Sequence, residues 1–280
     1  YPARFQPYED ARDRRALTPV GELPAAPNLV NADFTAGFTG WQRPHRYQTD
    51  VEPGFRWHVL EEADGARGAA VALHVREKGR AWAYDEFLEQ YQLIALTEGD
   101  RPALRARYRI PLEGHSYFGG GYLRATAYRD GAPQAMWWFH WGAREERVRH
   151  LPQAVLYSDH GAQRGIRQLH RLAEEGRALF WRVPDFPNRW QSLSADLAAL
   201  YDEAHASEEA FAALRADKLL VAFGVWCGME PGSHSGAWFD EVDVAPEPGA
   251  ESRAGGRPLR AGPYTREAPY STWYLRGFDK

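Results

Sequence analysis

The strongest constraint in this 280-residue sequence is its period. Over much of its length, polar and apolar residues alternate in short runs rich in β-branched and aromatic side chains, and Gly, Pro or Asp interrupts these runs at intervals of roughly 8–12 residues. A period of two sends successive side chains to opposite sides of a strand, so a chain built from such runs packs as an all-β sandwich. Strands are predicted near 28–34, 55–60, 69–76, 90–96, 103–110, 121–129, 134–141, 178–183, 190–196, 218–226 and 237–244. Asp130-Gly131, set between two alternating runs, predicts a tight hairpin turn with positive φ.

Two stretches break the period. In 160–175, Ile166, Leu169, His170, Leu172 and Ala173 recur at helical spacing, and 197–216 carries Leu197, Leu200, Tyr201, Phe211 and Leu214. These predict short helices inside a partly helical insertion of about 145–217. Residues 1–27, with five prolines among charged residues, read as an extended N-terminal arm, and 246–280 as a C-terminal arm whose Tyr264, Tyr270, Trp273, Tyr274 and Phe278 pack back on the body. The sandwich occupies 28–245.

Composition narrows the function classes. Thirty-four basic against 38 acidic residues give a net charge of -4, without the basic excess of a dedicated nucleic-acid binder, so no nucleic-acid partner is expected. No apolar run approaches the roughly 18 residues of a membrane span, so no membrane partner is expected either. Cys227 is the single cysteine, which rules out an intramolecular disulfide and every paired-cysteine zinc motif. The first residue is Tyr1 rather than Met, compatible with a removed secretion signal or a trimmed chain; the expected setting is extracellular or periplasmic. Lys78, Lys218 and Lys280 are the only lysines, so arginine carries nearly all the positive charge. Aromatics reach 14%, more than a core of this size normally needs, and some are expected to face a ligand.

Four segments, in order, resemble a known family. Asn31-Ala32-Asp33-Phe34 with Gly37 and Trp41, Gln92-Leu93-Ile94-Ala95-Leu96 with Gly99, Trp190 to Leu197, and Trp238-Phe239-Asp240-Glu241-Val242 are similar to the signatures of carbohydrate-binding modules with a galactose-binding-like jelly-roll fold. The resemblance spans about 31–245 and implies a jelly-roll β-sandwich that binds a polysaccharide or oligosaccharide. It also implies a structural Ca2+ tying the first strand to the last, through Asp33 and Asp240, with Thr35 where relatives often carry Glu.

Alternation assigns the candidate site. In 121–129, Leu123, Ala125 and Ala127 belong to the core and Tyr122, Arg124, Thr126 and Tyr128 to the other face; in 134–141, Trp137, Phe139 and Trp141 point inward and Met136, Trp138 and His140 outward. A concave face bearing Trp138, Tyr128 and Tyr122 suits sugars, because pyranose C–H faces stack on aromatic rings. Trp226 at a strand end, Trp82 and Tyr84 on a loop, and Arg107 in the row Arg105, Arg107, Arg109 extend the predicted ligand surface, although such a row is more often a solvated outer face.

The same residues admit an enzyme. His140, Tyr122 and Arg124 would be the catalytic set of a polysaccharide lyase, with Arg holding a uronate carboxylate and His or Tyr moving the proton. A glycoside hydrolase would draw instead on Asp85, Glu86 and Glu89. A protein-assembly module remains a third reading.

Overall fold

The computed structural model describes residues 18–42, 55–61, 69–76, 86–112, 115, 119–142, 155–156, 159–160, 162–205, 210–227, 234–246 and 257–259. Eleven strands appear among them: β1 (Phe55–Glu61), β2 (Ala69–Arg76), β3 (Glu86–Ala95), β4 (Pro102–Arg109), β5 (Gly119–Arg129), β6 (Ala132–Gly142), β7 (Ala178–Arg182), β8 (Trp190–Asp196), β9 (Lys218–Cys227), β10 (His234–Pro246) and β11 (Arg257–Leu259). They form a five-stranded sheet in the order β1-β2-β10-β4-β8 and a six-stranded sheet in the order β11-β7-β6-β5-β9-β3. The fold is therefore a β-sandwich.

The inner faces are those that alternation picks out. Leu123, Ala125, Trp137, Phe139, Trp141, Val221 and Phe223 of the six-stranded sheet join Leu104, Ala106, Tyr108, Leu193 and Phe239 of the five-stranded sheet in one buried cluster. Aromatic rings bridge the two layers, with Tyr108 stacked on Trp141 at 4.3 Å and Phe223 against Phe239 at 4.6 Å. Burying each such ring stabilises the fold by roughly 2–3 kcal/mol.

One connection decides what happens outside this core. β6 and β7 are adjacent and parallel, with Met136 opposite Ala178 and His140 opposite Arg182. Parallel neighbours cannot be joined by a hairpin, so the chain must leave the sheet, cross over and return. It does so through α1 (Ala162–Glu174), which lies on the outer face with Leu169 and Leu172 packed into one buried cluster with Met136, Ala178 and Phe180. Gly176, at φ +68, ends the helix: Arg177 N donates to Leu172 O and Gly176 N to Ala173 O, the paired bonds of a left-handed cap.

Local chemistry sets the remaining boundaries. Asp130 and Gly131 both have positive φ and form the β5–β6 turn. Asp196 caps α2 (Leu197–Ala204) by accepting a hydrogen bond from Ala199 N at 2.8 Å, and a short 3-10 helix follows at Phe211–Leu214. The segment 28–34, predicted as a strand, is a turn instead. Asn31 and Phe34 adopt positive φ, and the Asn31 amide bonds Gly37 O and Ala36 N, so its backbone is spent on a local loop rather than on a ladder. Gln92 holds this loop to β3 through two bonds with the Val30 backbone. Residues 18–27, assigned to an arm, lie on the body: Val20 is buried against Tyr91, Tyr128 and Leu220, and Lys218 Nζ donates to Gly21 O and Leu23 O.

Candidate functional site

The outer face of the six-stranded sheet carries the residues that alternation selects. Tyr122 stands opposite His140 and Arg124 opposite Trp138 across β5–β6, while Gly224 and Ala222 lie opposite Tyr122 and Arg124 across β5–β9, and Glu89 opposite Gly224 across β9–β3. Gly224 is needed here, because a Cβ would sit 2.6 Å from the Tyr122 hydroxyl and 2.8 Å from Leu88 O. The missing side chain lets Tyr122 lie across β9 towards Glu89.

Arg124 is the centre of this face. Its Nε and Nη2 donate to the two carboxylate oxygens of Glu89 at 2.7 and 2.8 Å, Nη2 also donates to Asp159 at 2.9 Å, and Nη1 to Thr126 at 3.2 Å. All three ionic side chains are fully buried. Burial raises the carboxyls of Glu89 and Asp159, against the lowering effect of Arg124, while Arg124 itself is held charged by Asp159 and Glu89 in spite of its burial. Burial likewise raises Tyr122 and Tyr128 well above the usual phenol range, with Glu89 and Asp159 adding to it. His160, beside Tyr128, is pushed down to about 3 by burial and by Arg124, and His140 to about 4 by burial and by Arg182.

An open cleft over these residues was the expectation, and the structure closes it. Tyr122, Tyr128, Trp138, Trp226, Arg124 and His140 are all 0% exposed. Val155, Leu156, Leu169 and Leu172 cover Tyr122, Trp138 and Trp226 in one buried cluster, and Asp159 and His160 reach Arg124 and Tyr128. The physical reason is the parallel β6–β7 pair, whose crossover needs a sheet face to rest on. Arg124 cannot serve as the carboxylate-neutralising residue of a lyase either, because its donors already hold Glu89, Asp159 and Thr126. Trp82 and Tyr84, and Asp85 of the acidic set, lie outside the described residues.

The outer face of the five-stranded sheet is different. β4 pairs with β8 on one side and β10 on the other, which sets out three cross-strand rows: Trp190–Arg109–Trp238, Ser192–Arg107–Asp240 and Ser194–Arg105–Asp243. Trp190, Trp238 and the three arginines are all partly exposed. The Arg107 guanidinium lies 4.9 Å from the Trp190 ring centre and donates to Asp240 at 2.8 Å; that of Arg109 lies 5.5 Å from Trp238 and donates to the Asn188 amide oxygen. Each contact is a cation over an aromatic face. Arg107 thus belongs to a surface opposite the one holding Trp138.

Several residues of these two faces were misplaced by the sequence reading or missed by it. Glu89 is in the middle of β3 rather than in a loop; extending that strand to Glu86 places it on the Tyr91 face. Trp190 and Trp238 were legible by period, since each alternates with core residues: Leu193 and Ala195 in β8, Ala237 and Phe239 in β10. Nothing local to Asp159 or His160 marks them as partners of β5.

The donors for calcium do not fit. Asp33 is exposed and its Oδ1 accepts from Thr35 N and Oγ1 at 3.2 and 3.0 Å. Asp240 is buried and already faces the Arg107 cation, whose charge would repel a second one. The two segments are joined by backbone, Val242 N to Ala32 O at 3.1 Å, and among the described residues no three His, Cys, Asp or Glu side chains gather. No helix among these residues is long and apolar enough to cross a membrane.

No known sequence family and no curated protein matches the chain. Among solved structures it is similar to a carbohydrate-binding module, TmCBM61, solved with β-1,4-galactotriose, at TM-score 0.38 and 9% identity over 80% of this chain and 100% of that one. It is also similar to the non-crystalline cellulose specific module CBM28, at 0.37 and 11% over 80% and 98%. The enzymatically active domain of tailspike protein 4 of bacteriophage CBA120 gives 0.40 and 9% over 78% of this chain and 21% of that one. At these values the likenesses carry nothing about ligand or reaction, and the sandwich rests on the strand pairing itself.

Proposed function

We propose that this chain binds a saccharide polymer on the outer face of its five-stranded sheet. The observation that carries the reading is the row Trp190–Arg109–Trp238, in which two partly exposed tryptophans flank an arginine across three adjacent strands. With neighbouring strands ~4.8 Å apart, the backbone positions of Trp190 and Trp238 are roughly 10 Å from one another, within the span of one extended ligand. Indole rings offer the apolar area on which sugar C–H faces stack, and guanidinium N–H groups meet hydroxyl oxygens beside them. Stacking also holds the long arginine side chains in place, which reduces the entropy lost on binding. An extracellular or periplasmic setting, where polymeric saccharide is met, fits this reading.

Retention of the purified chain on immobilised polysaccharides tests it. Trp190→Ala and Trp238→Ala should each weaken retention about tenfold or more, with the circular dichroism spectrum unchanged. Unchanged retention in both folded variants, or no retention of the parent chain on any polymer, would overturn the proposal.

A glycoside-cleaving reading would draw on Glu89 and Asp159, which meet at a single nitrogen of Arg124, but both carboxylates are fully buried there. The binding reading expects no shortened products in the same incubation. Products that disappear in Glu89→Gln would replace it with catalysis.

A further inference from the structure

We infer that the binding face continues past the end of β4 onto Phe186, and that this ring is a third stacking platform for the polymer. The inference rests on the proposal that Trp190 and Trp238 mark the face.

The placement of exposed apolar side chains carries it first. Among the described residues the large apolar side chains that stand exposed are Val30, Leu112 and Phe186, the last two at 74% and 60%. Those two flank one place in the fold. Ile110, which directly follows Arg109, bridges in parallel to Pro187, so Phe186 and Leu112 each lie within two residues of that bridge. With successive Cα atoms about 3.8 Å apart and paired strands ~4.8 Å apart, the backbone of Phe186 is at most roughly 12 Å from that of Arg109. One extended chain of sugars is long enough to reach the tryptophans and Phe186 together.

The segment that carries Phe186 is fixed although the ring is not buried. Residues 183–189 pass from β7 of one sheet to β8 of the other. Val183 N donates to His140 O at 2.9 Å, the Tyr108 hydroxyl to Pro184 O at 2.7 Å and Asn188 N to Ile110 O at 2.8 Å. The Gln191 side chain takes both backbone groups of Phe186, accepting from its N at 3.3 Å and donating to its O at 3.2 Å. The Asn188 amide oxygen accepts from Arg109, whose guanidinium lies over Trp238, so the loop is tied to the middle of the tryptophan row. A lone apolar side chain on a surface needs no explanation. A phenyl ring whose backbone is held on both sides is different, because the fold has already supplied the order that stacking requires. Its face is the kind of apolar surface on which pyranose C–H groups rest.

Calorimetry with soluble galactan, mixed-linkage glucan, xylan and polygalacturonate, and with oligosaccharides of each from two to five rings, tests the assignment. Phe186→Ala should weaken the binding of polymer and pentasaccharide about tenfold, as the loss of one stacked ring implies, and leave that of a disaccharide, which the tryptophans hold alone, unchanged. Phe186→Trp should keep the parent affinity, and its indole emission should shift when the pentasaccharide is added. Undiminished pentasaccharide affinity in Phe186→Ala, or an equal loss for the disaccharide, would overturn the role of Phe186 while leaving the face in place, provided Trp190→Ala and Trp238→Ala still weaken both. If neither tryptophan variant changes any affinity, or if none of these polymers binds the parent chain, the face itself is wrong and the role of Phe186 falls with it.

Discussion

The two sheets turn outward faces built from the same ingredients, arginine beside tryptophan on strands of similar length, and they meet opposite fates. On the six-stranded sheet, Arg124 and Trp138 lie under the crossover, with no exposed surface and with Glu89 and Asp159 already on the guanidinium. On the five-stranded sheet, Arg107, Arg109, Trp190 and Trp238 keep contact with solvent. The difference is one of connectivity. Alternation says which side chains share a face, but whether that face stays open depends on where a later segment of chain must travel.

The largest effect that separates the two faces is the cost of removing their cations. Arg124→Met should destabilise the fold by about 3–5 kcal/mol in urea denaturation, because Glu89 and Asp159 would be left as uncompensated buried charges. Arg107→Met, at a side chain 13% exposed, removes the ion pair with a single carboxylate, Asp240, and should cost about 1–3 kcal/mol. Equal costs would erase the distinction between a sealed and an open face.

Acidification gives the next largest effect. His140 is held at about 4 in the fold against an ordinary 6.5, so between those values the unfolded chain binds more protons than the folded one. Stability should therefore fall as the pH drops from 6.5 to 4, with His140 contributing about 3 kcal/mol by the lower end. His160 acts in the same direction. Glu89 and Asp159, raised by burial, act oppositely, since the stability they contribute is present at low pH and is lost as pH rises through their folded values. Thermal melts of His140→Phe against the parent isolate the histidine: the variant should lose the part of the pH dependence that His140 supplies, and parallel curves would show that the face is not sealed around that ring.

The smallest effect concerns the outer surface of the crossover helix. Arg164 pairs with Glu22 at 2.9 Å, but both side chains are more than two-fifths exposed. Arg164→Gln should change the melting stability by less than about 1 kcal/mol. A loss comparable to that of Arg124→Met would mean that the helix is held from outside rather than by Leu169, Leu172 and the buried ionic cluster.

Much of this was legible beforehand, and particular residues show why the rest was not. The predicted strands at 69–76 and 190–196 coincide with β2 and β8, and the sorting of Leu123, Trp137 and Phe139 from Tyr122, Trp138 and His140 is that of the structure. These depend only on a period that is local. The strand predicted at 28–34 failed because Asn31 satisfies its neighbours' backbone groups with its own side chain, which apolar patterning does not register. Openness of the Trp138 face failed because Leu156 and Leu172, far along the chain, supply its cover.

By itself the sequence determined the layer architecture, the inner faces, the Asp130-Gly131 turn and the helix-forming segment after β6, since each is encoded by neighbours within a few residues. Only the tertiary structure decided that β6 and β7 lie parallel, and hence that the intervening helix comes to rest on the six-stranded sheet, while Arg107, Arg109, Trp190 and Trp238 of the other stay partly exposed. The reason is that strand order is a choice among long-range pairings of similar local energy, and a burial pattern with a period of two is satisfied by several of them. Which arginine is enclosed and which meets solvent follows from that choice.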